Sequence, residues 1–185
     1  MLWNTQTYTG WGRALSAEGE LARPERAAAL AKLCTNPAIG ARRSYGDACL
    51  NSKGAAVDMT RLDRILSFDA ATGLVEAEAG VPVGELARLF APLGWIPTVM
   101  PGTGFATVGG CIAMDVHGKN HHVDGSFGSH VTAIKLMVAG KPKTITPKRN
   151  GALFKATVGG LGQTGIIASA TLQMSCCEGE GMEVK

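Results

Sequence analysis

Long apolar runs are missing from this chain. Nowhere in its 185 residues do 18 apolar residues follow one another, and the most apolar stretch, 165–174, is broken by Ser169, Thr171 and Gln173. A membrane-crossing helix needs about 20 such residues, so a soluble protein is expected. Residues 1–13 lack an apolar segment of signal-peptide length and carry Asn4, Thr5, Gln6 and Thr7, which makes the expected address cytoplasmic. The five cysteines (Cys34, Cys49, Cys111, Cys176 and Cys177) are an odd number with no C-x-x-C spacing. That disfavours a disulfide framework and a structural zinc site and suits reduced thiols. A formal charge of only +3, split among Arg42-Arg43, Lys141 with Lys143, and Lys148-Arg149, gives no basic stripe for nucleic acid. Two nucleotide fingerprints are also missing: no G-x-G-x-x-G follows an N-terminal strand with an acid about 20 residues on, and no G-x-x-x-x-G-K-[ST] occurs. His117, His121, His122 and His130 with Asp115 and Asp124 show no H-E-x-x-H or regular helical pairing, so no metal is expected.

Glycine is what the chain has in excess: 25 of them, where average usage near 7% gives roughly 13. They are not gathered in a flexible linker, so they need a local explanation. At this length the chain can bury roughly 70% of its unfolded surface, as one domain or two small lobes.

The coarse pattern mixes helices and strands. Pro24, Glu25 and the alanine-rich run 26–33 predict a first helix. Short strands are expected over 38–40 and 55–59, with a polar loop between them. Residues 65–69 and 74–79 flank a glycine-containing turn and predict a hairpin. Val83, Leu86, Leu89 and Phe90 recur at helical spacing behind Pro82 and Glu85. Strands are expected over 95–100, 131–138 and 166–174, and a short helix over 153–158.

The densest glycine segment, 101–128, is where chemistry is expected. Pro101-Gly102-Thr103-Gly104 leads into Thr107-Val108-Gly109-Gly110-Cys111-Ile112-Ala113. A helix opening at Thr107 would direct unpaired amides and its positive end at a ligand, and glycine there lets a phosphate approach the backbone. The same glycines could instead serve turns and close helix–sheet packing. Two more glycine loops, Gly40-Ala41-Arg42-Arg43-Ser44-Tyr45-Gly46-Asp47 and 159–165, favour one extended phosphorylated ligand held at several points. Cys111, among small residues, reads as packing rather than as a nucleophile, and Trp11 as a packing residue.

Five motifs in order resemble the vanillyl-alcohol-oxidase-like FAD superfamily, in its branch of decaprenylphosphoryl-ribose oxidases and sugar-lactone oxidases. They are Gly10-Trp11-Gly12-Arg13, Arg43-Ser44-Tyr45-Gly46-Asp47, Pro101-Gly102-Thr103, Thr107-Val108-Gly109-Gly110 and His117-Gly118-Lys119-Asn120-His121-His122. The resemblance runs over about 10–174. It implies an α+β, two-lobed FAD-binding domain of the p-cresol methylhydroxylase type, with a small lobe over about 14–60 and a larger one over about 61–175. By the same resemblance 40–46 is the first phosphate loop and 101–110 the second. Ala113, His117, Gly118, Asn120, Gly165 and Ile167 would add cofactor contacts. Ile39 stands where such families often have arginine, so contacts from an arginine there do not carry over. Tyr45 stands where covalently flavinylated relatives have histidine, which implies non-covalent FAD.

The activity implied is hydride transfer to flavin from a sugar alcohol or aldonolactone. His117 reads as a loop histidine or a flavin-proximal group, Lys119 as a neighbour of a substrate hydroxyl or phosphate, and Tyr45 as a packed loop aromatic or a third active residue. The family's C-terminal substrate domain is expected to be absent here, because the chain stops at Lys185, soon after the last expected strand. The readings are a truncated oxidase, a stand-alone FAD-binding subunit, or a non-catalytic flavin module completed by a partner chain. The resemblance leaves room for a reductase or epimerase partner and for peripheral membrane association.

Overall fold

A computed structural model describes residues 3–177 of the protein. Two sheets, built from separate parts of the chain, form an α+β fold. The first has four strands: β1 (Asn4–Thr9), β2 (Ser16–Ala22), β3 (Ala38–Ile39) and β4 (Ala55–Asp58), in the order β1-β2-β4-β3. β1 and β2 are antiparallel, while β4 runs parallel to both β2 and β3.

The second sheet is antiparallel throughout. It contains β5 (Ile65–Asp69), β6 (Leu74–Glu78), β7 (Trp95–Pro97), β8 (Val131–Val138), β9 (Lys141–Ile145) and β10 (Ile166–Cys176). Its order is β5-β6-β10-β8-β9, with β7 paired to the far end of β10. The eleven-residue β10 is therefore the spine, and its first five residues are all buried.

Strand periodicity ties the two sheets together. In β2 and β4, Leu21 and Ala56 belong to a small core with Tyr8, Ala17, Ile39 and Cys49, whereas their neighbours Ala22 and Val57 face the main core. Successive side chains leave a strand on opposite faces, so one short sheet serves two apolar clusters. The main core continues through Val75, Leu86, Ile112, Ile134, Leu136 and Ile166, all essentially inaccessible.

Among the described residues four α-helices complete the fold: α1 (Val83–Phe90), α2 (Val108–Ala113), α3 (His121–Asp124) and α4 (Gly151–Thr157). α1 buries Val83, Leu86 and Phe90, and Phe90 meets Phe68 of β5 at 4.3 Å between ring centroids. Leu89, expected on that stripe, is exposed.

The first helix expected over 26–33 is a 3-10 segment, Ala27–Lys32. Pro24 lies outside it, and Arg26 at its start is extended and makes no side-chain cap. Alanine propensity without a cap or length sustains only this tighter turn. The first sheet reaches back to Asn4, ahead of the small lobe expected over about 14–60; β1 is polar and β2 is interrupted by Gly19, so neither carries a clear strand signature. β9 is not among the strands expected from the sequence; its Lys141-Pro142-Lys143 is tolerated because it lies on an edge strand. The strand expected over 95–100 stops at Pro97. Among the described residues, no helix is long and apolar enough to cross a membrane.

Candidate functional site

The seam between the sheets is where the glycine loops meet. Gly40 follows β3, and Thr107 is the N-cap of α2, its Oγ1 accepting from the Gly110 amide at 3.3 Å. A Cβ on Gly40 would collide with Thr107 Oγ1, so this close approach requires glycine. Around the contact opens a cleft of about 600 Å³, bordered by Trp11, by 40–45, by Pro101, Gly102, Thr103, Ala106, Thr107 and Gly110, and by 114–117. A narrow recess of about 60 Å³ lies beside it. It shares Gly40, Thr107 and Gly110 with the cleft and adds Gly109, Ala113, Gly162, Gly165 and Ile167.

One groove thus gathers most of the residues singled out in sequence. Gly46, Gly118, Lys119 and Asn120 are outside its lining. The Asn120 amide donates to Thr98 O at 2.8 Å and Asp124 Oδ2 at 2.7 Å, pinning the histidine loop beside the 101–103 segment. A Cβ on buried Gly118 would come within 2.8 Å of Met100 O. Both therefore brace the loop. Lys119 is exposed, two residues along the chain from the lining residue His117.

The expectation of unpaired amides at the start of α2 is overturned. The Val108 amide donates to Val81 O and the Gly109 amide to Ala79 O, both at 2.8 Å, and Gly110 is taken by the Thr107 cap. The donors lie instead in the first loop. Among the described residues, no backbone carbonyl accepts from the amides of 41–46. Arg42 there has φ +55°, and successive amides around a left-handed residue form a concavity that suits anions. Neither Arg42 nor Arg43 has a carboxylate within ion-pair distance among the described residues. The loop is a cationic wall of the cleft whose two arginines have no ion-paired carboxylate among the described residues.

At the other end, His117 is exposed, its Nδ1 3.5 Å from Gly118 O and its ring edge-on to His121 at 5.2 Å. Asp115 on the cleft wall has φ +43° and is committed to the Ser126 hydroxyl and the Gly128 amide, both at 2.9 Å. Tyr45 is 79% exposed, so the packed-aromatic reading fails. Trp11, taken as packing, lies on the cleft half exposed; its place between two glycines was the available signal. Cys49, Met114 and Val116 border the cleft without a sequence pattern that would have found them.

Cys111 is fully buried in α2, and burial pushes its thiol up to about 12. At pH 8 it stays protonated and inert. Iodoacetamide on the native protein is expected to modify exposed Cys176 and to spare Cys111 until denaturant is added. Prompt native labelling of Cys111, read by peptide mass mapping, would refute this.

Comparison with known proteins agrees with this geometry. The model of the family described as FAD binding domain matches residues 19–141. Decaprenylphosphoryl-beta-D-ribose oxidase of Mycolicibacterium smegmatis is 41% identical over 186 residues, covering 94% of this chain and 40% of that protein. D-arabinono-1,4-lactone oxidase of Yarrowia lipolytica is 29% identical, covering 73% of this chain and 26% of its own length. L-gulono-1,4-lactone dehydrogenase of Mycobacterium tuberculosis is 26% identical, over 90% and 40%. The chain spans 40% or less of the length of these relatives.

Proposed function

This chain belongs to the FAD binding domain family, and on that premise we propose that its cleft holds FAD without a covalent link, as the cofactor-binding part of an oxidoreductase acting on a sugar alcohol or aldonolactone. The observation that carries the reading is the convergence of the 40–45, 101–107 and 162–167 segments on one groove. The residues present fit the group. A diphosphate needs donors and positive charge; the 41–45 amides, Arg42 and Arg43 offer both, and among the described residues no backbone carbonyl or carboxylate pairs with them. Gly102 leaves the backbone uncovered on the opposite wall. Gly162, Gly165 and Ile167 line a recess for a flatter, less polar part of the ligand.

Bound there, FAD supplies the acceptor for a hydride from a substrate carbinol carbon. His117, exposed at the mouth, is the candidate to take the hydroxyl proton at a ring nitrogen. Lys119 and Tyr45, also exposed and close to the mouth in sequence or on its rim, are candidates to orient a substrate hydroxyl or phosphate. Tyr45 in place of a histidine in the first loop supports a non-covalent cofactor. The sugar-oxidising assignment rests on relatives named as a decaprenylphosphoryl-ribose oxidase and lactone oxidases. A second reading, a flavin module completed by a partner chain, draws support from the exposure of Tyr45, His117 and Trp11, all of which border the groove.

Titration with FAD is expected to quench FAD fluorescence at one equivalent per chain, and acid precipitation should leave all the flavin in the supernatant. A chain that takes up no FAD at tens of micromolar rejects the site. Yellow colour remaining in the pellet rejects the non-covalent link. Bleaching of the loaded flavin by aldonolactones with this chain alone would remove the need for a partner.

A further inference from the structure

At the edge of the cleft stands an arrangement that phosphate binding does not require: Trp11 and Arg43 border the cleft, and Phe105 falls in the chain between its lining residues Thr103 and Ala106. Trp11 and Phe105 are large aromatics left 51% and 65% exposed, and the Arg43 guanidinium carbon lies 5.2 Å from the centroid of each ring. Arg43 Nε is buried without a hydrogen-bond partner. The rings, rather than an acid or a carbonyl, are what the guanidinium rests on, a geometry in which a cation and a π face attract.

The contact joins two separately anchored supports. On one side the Trp11 amide donates to Ser44 O at 3.0 Å, and a Cβ on Gly10 would lie 2.9 Å from the same carbonyl, so the 10–13 turn sits directly on the first loop. On the other side the 104–106 segment is tied to α1: Gly84 donates to Gly104 O and Val83 to Ala106 O, both at 2.8 Å. Phe105 stands between those two anchors, with its own amide on Thr103 Oγ1 at 3.3 Å. Both backbones are fixed, and the aromatic and guanidinium side chains close the gap between the loops.

We propose that Trp11, Arg43 and Phe105 form a clamp across the rim of the cleft that governs how fast a bound dinucleotide leaves. This rests on the reading of the cleft as an FAD site. A ligand extended along both loops must part the clamp to escape, so weakening the clamp should raise the release rate without changing the fold.

The test uses the full chain loaded with FAD, diluted so that release appears as a rise in FAD fluorescence. Phe105→Leu keeps apolar bulk but loses the π face and is expected to speed release about tenfold. Phe105→Tyr should remain within twofold of the unmodified chain. In an Arg43→Gln background, Phe105→Leu should add nothing further, since the two side chains act as one unit. Release from Phe105→Leu within twofold of the unmodified chain overturns the clamp. So does an unchanged effect of Phe105→Leu in the Arg43→Gln background, which would give Phe105 a role of its own. A chain that never takes up FAD fails the reading of the cleft itself, a distinct outcome that withdraws the clamp with it.

Discussion

Gly102→Val is expected to weaken FAD binding about a hundredfold while moving the melting temperature by no more than about 2 °C. A Cβ at Gly102 meets no heavy atom within 4 Å, and Gly102 borders the cleft. Its φ is not in the left-handed region, so valine imposes no backbone strain there. The two added methyls are free to occupy open space at the cleft lining, where a ligand phosphate would need contact with the backbone. A hundredfold loss corresponds to about 2.7 kcal/mol, within reach of displacing one charged group from a polar wall. FAD titration and thermal melting read the two quantities separately. Unchanged affinity would move the phosphate away from the 101–103 segment, and a collapse in melting temperature would make Gly102 structural.

Gly109→Val should do the opposite. In sequence Gly109 reads as a phosphate contact, one of several glycines in Thr107-Val108-Gly109-Gly110. In the fold a Cβ there would come within 2.9 Å of the Ala79 Cβ and 3.2 Å of the Ala79 carbonyl oxygen, the oxygen its own amide bonds. The glycine lets the first turn of α2 lie against the end of β6. Overpacking such a contact costs about 1–3 kcal/mol, and for a chain of this size each kcal/mol lowers the melting temperature by about 2–4 °C. A fall of roughly 3–10 °C is expected, with FAD binding reduced chiefly through the loss of folded protein. Flavin binding abolished at an unchanged melting temperature would restore the phosphate role.

The contrast between these glycines marks where sequence stops being informative. Gly40, Gly102, Gly109, Gly110 and Gly165 look equivalent along the chain, and all border the groove or its recess. Of these five only Gly102 has open space where a side chain would stand; at Gly40, Gly109 and Gly165 another part of the protein is already there, and at Gly110 the Thr107 hydroxyl stands 3.1 Å away. Local pattern reports that backbone comes close to something, and cannot report whether that something is a ligand or a neighbouring strand. The same limit explains the α2 amides, whose carbonyl acceptors at Val81 and Ala79 lie nearly 30 residues away in sequence.

What the sequence determined by itself was a few elements with strong local signals and the glycine-rich loops that border the groove. Strong apolar periodicity placed α1, β8 and β10, and the ordered glycine motifs marked loops that meet at the groove, because both signals are local. The tertiary structure decided the rest. It turned polar segments into β1, β2 and β9 by giving them strand partners, and it turned an alanine-rich run into a 3-10 segment. It also set Trp11 and Phe105 on either side of Arg43. Strand pairing, helix termination and contacts between distant loops are energies shared with residues far along the chain, so they exist only once the two sheets have come together.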